Sequence, residues 1–246
     1  MQETSDQHVH VVAPTDPPTR GGPAAAADVV PDERFRGRAL VWSALLLALL
    51  FTALAWDVKD HGLAWSCDHP FAKYVHDHVT RTDVDVCSWI TQLGSVPVQA
   101  PLVVALGWWL LWMKRMALAF AVALAAAGSV VLGTGLKDVV QRARPVSDTF
   151  YAPRPGYSFP SGHTLGACII FGITALVLCA LTKSRRVRQM IFTTYAVLVL
   201  AVAISLLVIG VHYLTDVTGA LLIGPAWLLT VWAVRTRIWP ARTQPR

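Results

Sequence analysis

The 246-residue chain is 54% hydrophobic and only 15% charged, with a mean hydropathy of +0.50. That apolar excess excludes an ordinary soluble domain, in which about 25% of residues are charged. A net charge of +6 would suit nucleic acid in a soluble protein, but here the basic residues sort by loop between apolar stretches, so no nucleic-acid partner is expected.

Residues 1–33 are rich in Pro, Ala and Asp and show no sustained apolar period. Such a segment cannot bury enough surface to offset its ordering entropy, so a disordered cytoplasmic tail is expected. His8 and His10 within it are too sparse for a metal-binding tract.

Six apolar stretches of about 17 to 25 residues, the bilayer-spanning length, follow near Ala39–Trp56, Val96–Met113, Met116–Leu136, Thr164–Leu181, Ile191–Val211 and Val217–Val234. In hydrocarbon the backbone must satisfy its own hydrogen bonds, so these stretches predict an all-α bundle of six spans over residues 34–238. Ala53-Leu54-Ala55 in the first stretch resembles a signal-peptidase site, but the apolar run is longer than the usual ~7 to 15 residues of a signal.

Between the first two spans, residues 57–95 form a long Asp-rich segment. Phe71, Val75 and Val79, then Val86, Trp89, Ile90 and Leu93, recur at helical spacing and predict two short helices lying on the membrane surface. His61, His69, His76 and His78 share their faces with Asp and Lys, which reads as a solvated surface. The four cysteines match neither a disulfide framework nor a zinc pattern. An oxidising compartment would permit a Cys67 to Cys87 bridge, whereas Cys168 and Cys179 lie inside the fourth span as small buried thiols.

Arg34, Arg36 and Arg38 precede the first span, Lys114 and Arg115 separate the second from the third, Lys183 to Arg188 separate the fourth from the fifth, and Arg235 to Arg246 follow the sixth. All fall on one side if each span crosses once, so both termini, including residues 239–246, are expected in the cytoplasm. The segment 57–95, the region 137–163 and the turn at His212 then face outward.

Polar residues at span edges gather in three outward patches. In the first, Lys137 and Arg144 are seven apart, so on a helix stopped near Pro145 they would share a face, and a cation pair suits an oxyanion. In the second, Ser161 is a candidate N-cap and Gly162 lets a ligand approach the backbone at a helix start, where free amides and the dipole bind anions. His163 follows in the first turn. In the third, Asp216 lies four residues after His212, within helical reach of one ring nitrogen, and Ser205 lies seven before it on the same face. Each patch alone suits a helix anchor or cap; one topology brings all three to one membrane face.

Lys137 with six intervening residues before Arg144-Pro145, then Pro160-Ser161-Gly162-His163, then Ser205, His212 and Asp216, resembles the three-part signature of the type-2 phosphatidic acid phosphatases, or lipid phosphate phosphatases. The resemblance implies a membrane enzyme acting without metal or other cofactor. By it, His212 attacks phosphorus, Asp216 orients His212, and His163 protonates the leaving oxygen and then activates water. Lys137, Arg144, Ser161 and the amides near Gly162 would hold the phosphoryl oxygens. The expected partner is a lipid phosphate in a bacterial cell membrane: polyprenyl diphosphate, phosphatidate or phosphatidylglycerol phosphate.

One position departs from the family pattern. The residue after Ser205 is ordinarily Arg, and here it is Leu206. A missing charge-assisted contact is worth roughly 1.5 to 3 kcal/mol, or about ten- to hundredfold in rate. Arg142 or Arg154 could stand in for it. A lipid-phosphate binder that kept the pocket and lost turnover is the alternative.

Overall fold

The structure, a computed structural model, describes residues 33–145 and 155–240, with side chains of the first helix from Gly37 on. The expected tail with His8 and His10, and the candidate Arg154, lie outside the described residues. Every described element is helical: α1 (Glu33–Lys59), α2 (Leu63–His78), α3 (Arg81–Thr91), a 3-10 turn (Gln92–Gly94), α4 (Val96–Trp112), α5 (Met116–Val140), α6 (Gly162–Leu181), α7 (Arg185–Ile209) and α8 (Leu214–Ile238).

Six segments are long and apolar enough to span a membrane. Five lie in α1, α5, α6, α7 and α8, and the remaining one runs from Arg81 through α3 and the 3-10 turn to Trp112 at the end of α4. The all-α, six-span expectation therefore holds. Exposed Leu45, Leu46, Leu49 and Leu50 on α1 suit a hydrocarbon surround.

Local chemistry sets the helix ends. At α2, the Asp57 carboxylate accepts from the Trp65 amide at 3.0 Å. At α3, Thr80 and Asp83 form a reciprocal capping box, which satisfies two amides that the first turn would otherwise leave open. α5 stops at Val140 because Gln141 turns into the left-handed region at φ 53° and its amide closes onto Lys137 O at 2.8 Å. Pro145 is thus not the terminator, and Arg144 lies beyond the helix, so the expected shared helical face of Lys137 and Arg144 does not exist. α7 ends likewise at Gly210, whose φ of 76° suits a residue without a Cβ. His212 falls in the connection between α7 and α8, so it shares a helical face with neither Ser205 nor Asp216.

α6 is the central post: 61% of its span is buried, against 11% for α1. One side presents Leu165, Ile169 and Ile173 to Leu110 of α4, Val122 of α5 and Val231 of α8. The other presents Ala167, Cys168 and Phe171 to Val199, Val202 and Leu206 of α7. Small residues on α6 let neighbouring helices approach closely, which matters where lipid supplies little driving force for helix association. Phe159, just before α6, stacks on Phe51 of α1 at 5.6 Å and anchors the third cluster.

One end of the bundle is basic. Arg188 caps α6 there by donating to Thr182 O at 3.0 and 2.7 Å, and Phe120 of α5 meets Trp239 after α8 at 5.3 Å. The opposite end carries α2, α3 and the connections before α6 and α8. Cys67 is exposed on α2 and Cys87 packs against the α6 and α7 cluster; both are free thiols, so the bridge permitted by the sequence is not formed.

Candidate active site

At this opposite end, hydrogen bonds bring the three sequence patches together. The Ser161 amide donates to Asp216 O at 3.0 Å, which stitches the start of α6 to the first turn of α8. Arg144 Nη1 donates to Val211 O at 3.1 Å and lies 3.3 Å from His212 Nε2, joining the segment after α5 to the α7 to α8 connection. A methyl group placed on Gly162 would lie 3.7 Å from Lys137 Nζ, so the ammonium of α5 stands against the N-terminus of α6. Ser158 completes the lacing: its amide donates to Arg142 O at 2.9 Å and its hydroxyl to Ala143 O at 3.1 Å.

Each proposed chemical group has a definite support. Ser161 is the N-cap of α6 and is fully buried; its Oγ accepts from the Thr164 amide at 3.5 Å and from Thr164 Oγ1 at 3.1 Å. Its own hydroxyl hydrogen therefore remains available to donate. Asp216 is the third residue of α8, and its Oδ2 accepts from the Tyr213 amide at 2.9 Å. The same Oδ2 lies 3.2 Å from His212 Nδ1. A carboxylate can only accept, so Nδ1 carries the proton and Nε2 keeps its lone pair. Arg144 can only donate, and its place at Nε2 agrees with that tautomer. Burial holds His212 below the ordinary imidazole pKa, with Arg144 and Lys137 adding to the lowering and the Asp216 hydrogen bond and charge opposing it.

Arg142 departs from the expectation that it faces phosphate. Its side chain is 6% exposed, and both ends of its fork are engaged, with Nη2 at 2.6 Å from Asp68 and Nη1 at 2.8 Å from Asp216. The left-handed Gln141 turns the chain so that residues 142 and 144 leave α5 in separate directions, toward different partners. Leu206 is fully buried among apolar neighbours on α6 and α7 and brings no polar group to the site.

Three contributors carry no signature in the sequence. Asp68 of α2 and Thr215 of α8 form a buried network with Arg142. Gly94, in the 3-10 turn, lies so close to α6 that an added Cβ would stand 2.8 Å from His163 O and 2.9 Å from His163 Cβ. The obstacle is backbone, which cannot turn away as a flexible side chain would and yields only by shifting the first turn of α6. Gly94→Ala is therefore expected to displace His163 and lower turnover on the order of ten- to hundredfold with little change in folding yield, measured as kcat beside the thermal transition.

The family model described as the PAP2 superfamily matches residues 114–240, just over half of the chain, and that stretch contains all three converging patches. The chain belongs to the PAP2 superfamily. Among PAP2 relatives it is similar to phosphatidylglycerophosphatase B of Bacillus subtilis, with 28% identity over 144 residues, covering 57% of this chain and 69% of that one. The fold matches the transmembrane PAP2-type phosphatidylglycerolphosphate phosphatase of Bacillus subtilis with a TM-score of 0.72 and 25% identity, over 82% of this chain and 100% of that one. LpxE of Aquifex aeolicus shares the fold at a TM-score of 0.51 and 19% identity, over 68% of this chain and 94% of that one.

Proposed function

We propose that this PAP2 protein hydrolyses a lipid phosphate or diphosphate at the outer membrane surface through a phosphohistidine on His212, with no metal. The observation that carries the reading is the setting of His212: Asp216 holds Nδ1, and Arg144 meets Nε2, the nitrogen left free to attack. A phosphoryl group entering beside Arg144 would take over its N–H donors and expose the lone pair. The Nε2 to phosphorus bond forms as the bond to the lipid oxygen breaks, and His163 gives its proton to that oxygen. Neutral His163 then takes a proton from water, the hydroxide oxygen attacks phosphorus, and the bond to Nε2 breaks to release phosphate. Lys137, Arg144, the Ser161 hydroxyl and the amides near Gly162 meet the charge on the phosphoryl oxygens throughout.

A lipid substrate follows from the site's place at the end of a membrane bundle, where a headgroup sits beside its own tail. Phosphatidylglycerol phosphate is the first substrate to test, because the Bacillus subtilis relatives are phosphatases of that lipid; phosphatidate and polyprenyl diphosphate are the others. By the positive-inside rule, the basic end of the bundle supports a reading in which the loops before α5 and α7, and both termini, face the cytoplasm of a bacterial cell, with residues 34–238 as the catalytic domain.

The test is phosphate release by the full chain in lipid vesicles from each of the three lipids, with and without chelator. Release that depends on His212 and persists with chelator supports the reading. Headgroup binding without release from any of them would support the alternative that Leu206 raises, a binder that lost turnover.

The pH profile offers a second check. Activity requires neutral His212, and burial lowers its pKa. The acid limb of kcat is therefore expected below the ordinary imidazole value of about 6.5, with a separate fall at high pH as His163 loses the proton it must donate. A rate climbing steadily into alkali would contradict this division of labour.

A further inference from the structure

We infer that Asp68 is a positioning residue for the His212 nucleophile, acting on it through Arg142 and Asp216. The inference rests on the phosphohistidine reading above. Asp68 lies on α2, outside the segment that matches the family model, and within an Asp-rich stretch that the sequence alone reads as solvated. Yet it is fully buried, unlike its exposed neighbours Asp60 and Asp77.

Its carboxylate is completely engaged. Oδ1 accepts from the Thr215 amide at 3.0 Å, and Oδ2 accepts from Arg142 Nη2 at 2.6 Å and from the Thr215 hydroxyl. Arg142 Nη1 in turn donates to Thr215 Oγ1 at 2.6 Å and to Asp216 Oδ1 at 2.8 Å, while Asp216 Oδ2 holds His212. A continuous chain thus runs Asp68, Arg142, Asp216, His212, with no link longer than 3.2 Å. The Arg142 guanidinium is also stacked 4.0 Å from the Tyr213 ring centroid, which fixes its plane.

The physical consequence is a division of Arg142's charge. Were Asp216 its sole partner, the guanidinium would neutralise that carboxylate and weaken its hold on the charge that develops on His212 during attack. Asp68 draws Arg142 toward itself, so the two carboxylates and one guanidinium together leave one negative charge facing the imidazole. A buried ion pair is poor evidence for stability alone, since apolar replacements often do as well. Orientation of the nucleophile's partner is the role this one fits. Among the described residues, the other ionisable groups that act on His212 or adjoin it are Arg144 after α5, Lys137 of α5 and Tyr213 beside it.

The test is Asp68→Asn in the full chain in vesicles, a near-isosteric change that removes the charge and keeps an acceptor for the Thr215 amide. One more unit of positive charge then faces His212. The expected result is a kcat lowered about tenfold with KM within about twofold, and an acid limb moved to lower pH by roughly half a unit. Adding Arg142→Gln, which restores the original charge sum, should return the limb toward its wild-type position. If Asp68→Asn alone does not fold, the Asp68→Asn, Arg142→Gln double variant, which strands no unpaired cation beside Asp216, carries the test: its limb should lie at the wild-type position, and a displaced limb would overturn the inference. A folded Asp68→Asn enzyme with wild-type kcat and limb would overturn the inference, as would a limb that Arg142→Gln leaves in place. Wild-type protein that releases no phosphate would instead defeat the underlying phosphohistidine reading.

Discussion

His212→Ala is expected to lower phosphate release by about a thousandfold or more, the largest kinetic effect of any single change, because the proposed mechanism makes Nε2 the atom that bonds to phosphorus. The loss should fall on kcat and leave lipid binding near wild type, since Lys137, Arg144 and the start of α6 remain in place. Stability should change less than activity. The imidazole is 2% exposed, but its polar partner Asp216 keeps Arg142 and the Tyr213 amide. His163→Ala separates the two halves of the reaction: with a good leaving group the first half proceeds, the second lacks its base, and an acid-labile phosphoryl group should accumulate on the protein. Retention of more than a few per cent of activity in His212→Ala, with the fold intact, would place the nucleophile elsewhere.

The six spans were legible because long apolar runs leave the backbone no alternative to helix in hydrocarbon. The meeting of His163, His212, Lys137 and Arg144 at one end was legible too, since four crossings of a fixed length leave few places for span-edge residues. What failed was the fine geometry. Lys137 and Arg144 do reach the same end of the bundle, but across a left-handed turn at Gln141 and not along a helix face. Nothing in the local sequence marks Gln141 for that conformation as a glycine would. His212 and Asp216 meet because Asp216 caps the helix that starts after His212, so a correct pairing came from the wrong local structure.

Long-range pairing was the larger blind spot. Asp68 and Arg142 are 74 positions apart, and on its own helix Asp68 stands among exposed polar residues. A periodicity argument assigns a residue by its neighbours in the chain, and here the residue that matters to Asp68 comes from another element. The same holds for Gly94, whose significance is a close approach to His163 that only packing creates. The histidines between the first two spans show a milder case: His61, Trp65, His69 and Tyr213 form a ladder of rings with centroids 4.5, 5.2 and 5.4 Å apart, so that surface is partly aromatic packing.

Arg142→Met is expected to cost the most stability of any single change, about 3 to 5 kcal/mol, because it breaks a buried pair from one side only. Methionine fills much of the same space, so cavity formation is a minor part of the loss. The major part is electrostatic: Asp68 and Asp216, both without exposed surface, are left sharing one region with no cation between them. Their remaining donors, the Thr215 amide and hydroxyl, the Tyr213 amide and neutral His212 Nδ1, can hydrogen-bond a carboxylate but cannot neutralise two. Combining Arg142→Met with Asp68→Asn removes one of the stranded charges, so the double variant should be more stable than Arg142→Met alone even though it carries an additional substitution. Thermal unfolding in detergent reads both effects. A double variant less stable than the single one would mean that Asp68 contributes through packing at α2 and not through its charge, and the ion-pair account of this network would fail.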